Sequence, residues 1–158
     1  MTDKPTPEDI ELWQRRFASR ANNRAWTLAE AIERSPEQDQ EMLQAANAAM
    51  YLWRSIGTPR NHAHAAQLLA HVYALLGQPK PAAQYLGESW PYFMQDDRAP
   101  TELAFAHAVA ANVACAAGDA RQHAEHYAHA KALMARFENA QDREALAATM
   151  RVIPEPGS

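Results

Sequence analysis

Seven histidines, one cysteine and four tryptophans are the residues of this chain with most chemistry to offer, and their spacing decides which chemistry. His123, His126 and His129 recur at every third position, with Glu125 among them. Imidazoles on adjacent turns can share a transition metal, but a catalytic zinc needs three ligands converging on one point. On a helix each step of three falls back by about 60°, so the three rings fan over roughly a third of the circumference. A solvated polar face is the plain expectation, and a metal site of His123, His126 and His129 is the alternative. His62 and His64 fall on different faces, and neither HExxH nor CxxC occurs. His64, Gln67 and His71, at intervals of three and four, share one helical face. Such a stripe can orient a bound chain by hydrogen bonds, or bridge to neighbouring helices as partly buried polar residues. Cys115 lies mid-helix among alanines and reads as an inert buried thiol.

Phosphate loops and G-x-S-x-G elbows are missing, and five glycines leave little material to build one, so neither catalysis nor a cofactor is expected. A net charge of -4 removes the electrostatic handle on phosphate backbones, which argues against nucleic acid. A lone cysteine forms no intramolecular disulfide, and Met1 to Pro5 lacks an apolar signal core, so a cytoplasmic protein is expected. The nearest thing to a membrane span, Ala63 to Leu76, is broken by His64, Gln67 and His71.

These side chains must be carried by something, and composition says what. The 158 residues fit one domain, 1–158, that buries about 68–70% of its unfolded surface. With 47% hydrophobic and 22% charged residues and a mean hydropathy of -0.50, the chain is neither disordered nor membrane-embedded. The sequence holds 35 alanines against few β-branched residues, the composition of closely packed helices. An all-α fold follows.

Start and stop residues divide the chain into about seven helices. The first opens at Pro7 and is expected to reach about Glu33 with Ile10, Trp13, Phe17, Ala21 and Leu28 inward. Ser35-Pro36-Glu37-Gln38 starts a second, which Gly57 ends in a left-handed turn. Thr58-Pro59 starts a third, apolar almost all round and so central, which ends at Gly77. Pro79 opens a fourth, with Pro91 a kink or end. The fifth runs from Pro100 to Gly118, the sixth from the Asp119 cap with Tyr127, Ala130, Leu133, Met134 and Phe137 inward, and the seventh from about Gln141 to Met150. Residues 1–6 and 152–158 are expected to be flexible tails.

Two stretches repeat one spacing. Ala70, Tyr73, Gly77, Ala82 and Leu86 are matched by Ala111, Ala114, Gly118, His123 and Tyr127. Small residues let paired helices touch, and the glycine makes the tight turn between them. From Pro59 to Phe137 the chain resembles a tetratricopeptide-repeat protein, with the first two helices a degenerate third hairpin. Its glycines are 41 residues apart where a regular unit has about 34 residues. The segments Asn22 to Trp26, Gly57 to Asn61 and Val72 to Gly77 also resemble a group of uncharacterised bacterial tetratricopeptide-like proteins, a resemblance that carries no activity.

The resemblance implies antiparallel hairpins stacked as a short right-handed superhelix whose first helices line a concave groove. His64, Gln67 and His71 would face it, with Phe105, Ala108 and Asn112 from the fifth helix. In the family such residues hold a peptide backbone or terminal carboxylate. Here only Asn112 matches in kind, and the clamp lysines are missing. The implied role is a scaffold or adaptor that binds a protein or peptide. The alternatives are a histidine-based metal protein and a structural homodimer. Trp90, Tyr92, Phe93 and Met94 crowd around Pro91 and are the candidate interface if exposed, or a buried cluster if packed against the array.

Overall fold

Five of the seven helices in the computed structural model, which describes residues 4–158, begin at a proline. The ring fixes φ near its helical value, and the missing amide is one that a first turn leaves unpaired anyway. The helices are α1 (Pro7–Ala29), α2 (Pro36–Ile56), α3 (Pro59–Leu75), α4 (Pro79–Phe93), α5 (Pro100–Ala116), α6 (Ala120–Met134) and α7 (Ala140–Arg151), with no strand among the described residues. Thr6, Ser35 and Thr58 close reciprocal capping boxes with Asp9, Gln38 and Asn61. Asp119 and Asn139 cap α6 and α7. Of the expected N-terminal tail, Met1 to Asp3 lie outside the described residues, and Thr6 is already committed to its cap.

Consecutive helices pack as pairs, α1 with α2, α3 with α4 and α5 with α6, and the pairs stack through α3 and α5. Gly77 and Gly118 turn the last two pairs with φ of 67° and 76°, in the left-handed region that a Cβ disfavours. Each turn closes with the same long-range amide bond, Gln78 N to Tyr73 O and Asp119 N to Ala114 O, both 2.9 Å. The repeated spacing in the sequence is thus a repeated turn. The α2–α3 junction differs from expectation. Gly57 is extended (φ -84°, ψ 172°), and glycine is needed there because a Cβ would lie 2.5 Å from the Trp53 carbonyl oxygen.

Ten of seventeen residues are buried in α3 and ten of seventeen in α5, so these two helices are the centre of the array. Alanines do most of this, because a methyl group lets two backbones approach closely while leucines and methionines fill the spaces between. One core cluster joins α1, α2 and α3 through Leu28, Met42, Met50, Leu68 and Leu69. A second joins α5, α6 and α7 through Ala104, Phe137, Leu146 and Ile153.

Several expectations are corrected. The helix α1 stops at Ala29, short of Glu33, and its seam to α2 and α3 is Ala18, Ala25 and Ala29. Ile10, Trp13 and Phe17 lie about a quarter turn away on the outer side, 46%, 51% and 54% exposed, because the first helix of a stack has no neighbour there. Pro91 does not end α4, which runs on to Phe93 with the proline in its last turn. At the far end, Ile153 is 3% exposed and the Pro154 carbonyl accepts a 2.8 Å bond from His123 Nε2, so residues 153 and 154 are docked on the fold instead of trailing from it.

Candidate functional site

Stacking hairpins side by side places the odd-numbered helices along one surface, and there α1, α3, α5 and α7 surround an open groove of about 420 Å³. Asn23 and Trp26 come from α1 and Glu30 from its C-cap, His64 and Gln67 from α3, Thr101, Glu102 and Phe105 from α5, and Asp142 from α7. A second hollow of about 290 Å³ shares Asn23, Trp26 and His64 with it and runs on past Trp53, Asn61 and Arg60. Asn23, Trp26 and His64 are thus a wall common to both hollows. A further hollow of about 430 Å³ lies between α2, α3 and α4, crossed by the Arg54–Glu88 ion pair at 3.2 Å.

The wall of the main groove is aromatic. The Trp26 and Phe105 rings meet edge to face at 6.3 Å across α3, so α1 and α5 close over the helix between them. Beneath Trp26, stacked at 5.5 Å, lies His71. This residue is fully buried, as are Ala108 (0% exposed) and Asn112 (4%), so these three lie under the groove and not on it. The reason is the tight curl: stripes that an open solenoid would leave facing the hollow are covered by the neighbouring helix. Asn112 Nδ2–H donates to His71 Nδ1 at 3.0 Å. The two residues are 41 positions apart, the interval that also separates Gly77 and Gly118, and so hold equivalent places in the repeated hairpin.

That bond fixes the proton of His71 on Nε2, which has no partner among the described residues, nor has Gln67 Nε2 one turn earlier. Gln67 is 2% exposed yet lines the groove, so it is a buried polar residue at the groove floor. Burial, helped by the charge of Arg34, drives the His71 pKa down to about 3, so the ring is neutral. Burial also lowers that of His64 despite its 3.1 Å contact from Nε2 to Glu102. Glu102 is pushed up by burial, but hydrogen bonds from His64 and Arg60 bring it below its usual value. Glu30 behaves oppositely: burial raises its pKa, and the charge of Arg151 only partly offsets this.

Of the six residues expected in the groove, His64, Gln67 and Phe105 line it. His64 and His71 also bridge to α5, through Glu102 and Asn112. The α1 stripe Asn23, Trp26, Glu30 was not singled out, although its intervals of three and four are those of His64, Gln67 and His71. Glu102 likewise precedes Phe105 by three.

The candidate interface is packed. Phe93 is 1% exposed and clusters with Ala63 and Ala106, while Trp90, Tyr92 and Met94 are half-buried against it. Arg98 lies 3.7 Å over the Tyr92 ring and donates from Nε to its carbonyl. The histidine trio is also divided. His123 is turned to Pro154, whereas His126 and His129 meet His107 of α5, with His107 Nδ1 and His126 Nδ1 2.9 Å apart and Trp90 edge-on to both. Burial and the charges of His126 and His129 bring the His107 pKa to about 4. No group of three His, Cys, Asp or Glu side chains among the described residues is arranged to hold a metal ion.

No protein-family model, curated protein or solved structure matches the chain. Among the described residues no helix is long and apolar enough to cross a membrane.

Proposed function

We propose that this chain is a cytoplasmic helical-repeat module of the tetratricopeptide kind, a scaffold or adaptor whose ligand is an extended segment of a protein partner. The observation that carries this reading is the single groove to which α1, α3, α5 and α7 all contribute, prolonged by a second hollow that shares Asn23, Trp26 and His64. A channel walled by two aromatic rings, with amides and carboxylates along it, has the mix of apolar area and few orienting polar groups that binding sites use. Two adjacent hollows with a shared wall favour an extended chain over a compact metabolite, and rigid helices on every side favour recognition with little ordering cost in the protein.

Selection from a random peptide library against the purified protein tests it. Enriched peptides are expected to bind the wild type and to lose at least tenfold in affinity against Asn23→Trp, which fills the channel from an exposed position. Failure to enrich any peptide, or enrichment of peptides indifferent to Asn23→Trp, contradicts the reading.

A further inference from the structure

Three carboxylates, Glu30 from the α1 C-cap, Glu102 from α5 and Asp142 from α7, meet the main groove, and no lysine or arginine lines it. A hollow lined by carboxylates and by no lysine or arginine carries a negative potential that draws a cation. Glu102 has a partner in Arg60, at 3.2 Å, with the His64 ring hydrogen-bonded beside it. Glu30 has none within ion-pair distance among the described residues. Arg151, whose charge acts on it, is instead joined to Glu144 at 3.3 Å. Glu30 is therefore a half-buried acid, and burial raises its pKa for want of a partner. Aromatic faces beside it, Trp26 above all, offer a cation a second attraction and its methylene stem an apolar wall.

A second, independent observation comes from the floor. The Gln67 amide is 2% exposed and its Nε2 is unpaired. Because no bond holds the amide one way round, its oxygen or its N–H2 can be turned to a ligand at little cost. Peptide groups supply the complementary donor and acceptor.

We infer that the groove recognises a lysine or arginine side chain of the bound segment, its cation set among Glu30, Glu102 and Asp142, its stem against Trp26 and Phe105, and its backbone hydrogen-bonded to Gln67. This rests on the peptide-binding reading above and adds the class of side chain that reading leaves open. Selectivity is electrostatic: an acidic residue in the same place adds a fourth negative charge, and an uncharged isostere leaves Glu30 unpaired.

The test titrates four capped pentapeptides, alanines flanking a central lysine, arginine, norleucine or glutamate, into the labelled full chain, followed by two-dimensional NMR at the Trp26 indole N–H. Lysine and arginine peptides are expected to shift that signal and to bind at least fivefold more tightly than norleucine, with glutamate weakest. Glu30→Gln and Asp142→Asn should each reduce lysine-peptide affinity about fivefold, whereas Glu37→Gln, exposed and outside the groove, should not. Norleucine or glutamate peptides binding as well as lysine overturn the inference, as does a Glu30→Gln variant with unchanged affinity. So does n-butylammonium binding as tightly as the lysine peptide, since the site then takes a free amine. Library peptides that occupy the groove without a basic residue would sink this inference and leave the binding role standing, whereas a library that enriches nothing sinks both.

Discussion

At the scale of single residues, the fold is organised around a polar contact in its apolar centre. His71 and Asn112 sit where α3 cross-packs with α5, and a histidine this deeply buried is tolerated only because it is neutral and Asn112 satisfies one of its nitrogens. With a folded pKa near 3 against about 6.5 when unfolded, the stabilising form of His71 is the uncharged one. Its contribution is complete above pH 6.5 and is lost as pH falls from there towards 3. Urea unfolding at pH 7.5 and pH 5 should therefore differ by about 2 kcal/mol on account of this residue alone. His71→Gln, which cannot titrate, should remove that part of the pH dependence while leaving the remainder. An unchanged slope in the variant would mean that His71 is not buried as a neutral ring. His107 acts in the same direction, because burial and then the charges of His126 and His129 disfavour its protonated form.

Elements show how local rules set the array. The two left-handed glycines make one turn used twice, and they can be told from a glycine that does nothing of the kind. Gly118→Ala puts a Cβ on a residue with φ of 76° and should destabilise the protein by about 1–2 kcal/mol. Gly87→Ala lies in α4 with open space around the new methyl and should stabilise by up to about 1 kcal/mol. Calorimetry of both variants checks the pair: equal shifts of one sign would contradict the assignment of Gly118 as the turn. Helix starts were legible because Thr6, Ser35 and Thr58 each precede a proline and are answered three residues later, a purely local pattern. The burial of α1 was not legible. Ile10, Trp13 and Phe17 form an apolar stripe as regular as any in the chain, and periodicity records that a stripe exists, not whether a neighbour covers it. Gly57 was misread for a related reason: stop and close-approach glycines look alike until the Trp53 carbonyl is seen beside one. In the groove, His64, Gln67 and Phe105 were readable from their spacing, while His71, Ala108 and Asn112 obeyed the same spacing and were buried. How far neighbouring helices lean over α3 and α5 depends on the sizes of residues far away in sequence.

The whole molecule joins these scales through its curl. Trp26 of α1 reaches Phe105 of α5 across the helix that separates them, and the charge of Arg151 in α7 is felt at Glu30, the C-cap of α1. Four helices distant in sequence thereby share one hollow, and the docked Ile153 and Pro154 secure the last of them against α6. A chain with a net charge of -4 that concentrates carboxylates in its groove is matched to a basic segment.

The most direct measurement is a crystal structure of the protein with a peptide taken from library selection. The peptide is expected to lie along the odd-numbered helices, over Trp26 and Phe105 and within hydrogen-bond reach of Gln67. A peptide seated instead on α2, α4 and α6, with the groove left open, would contradict the account.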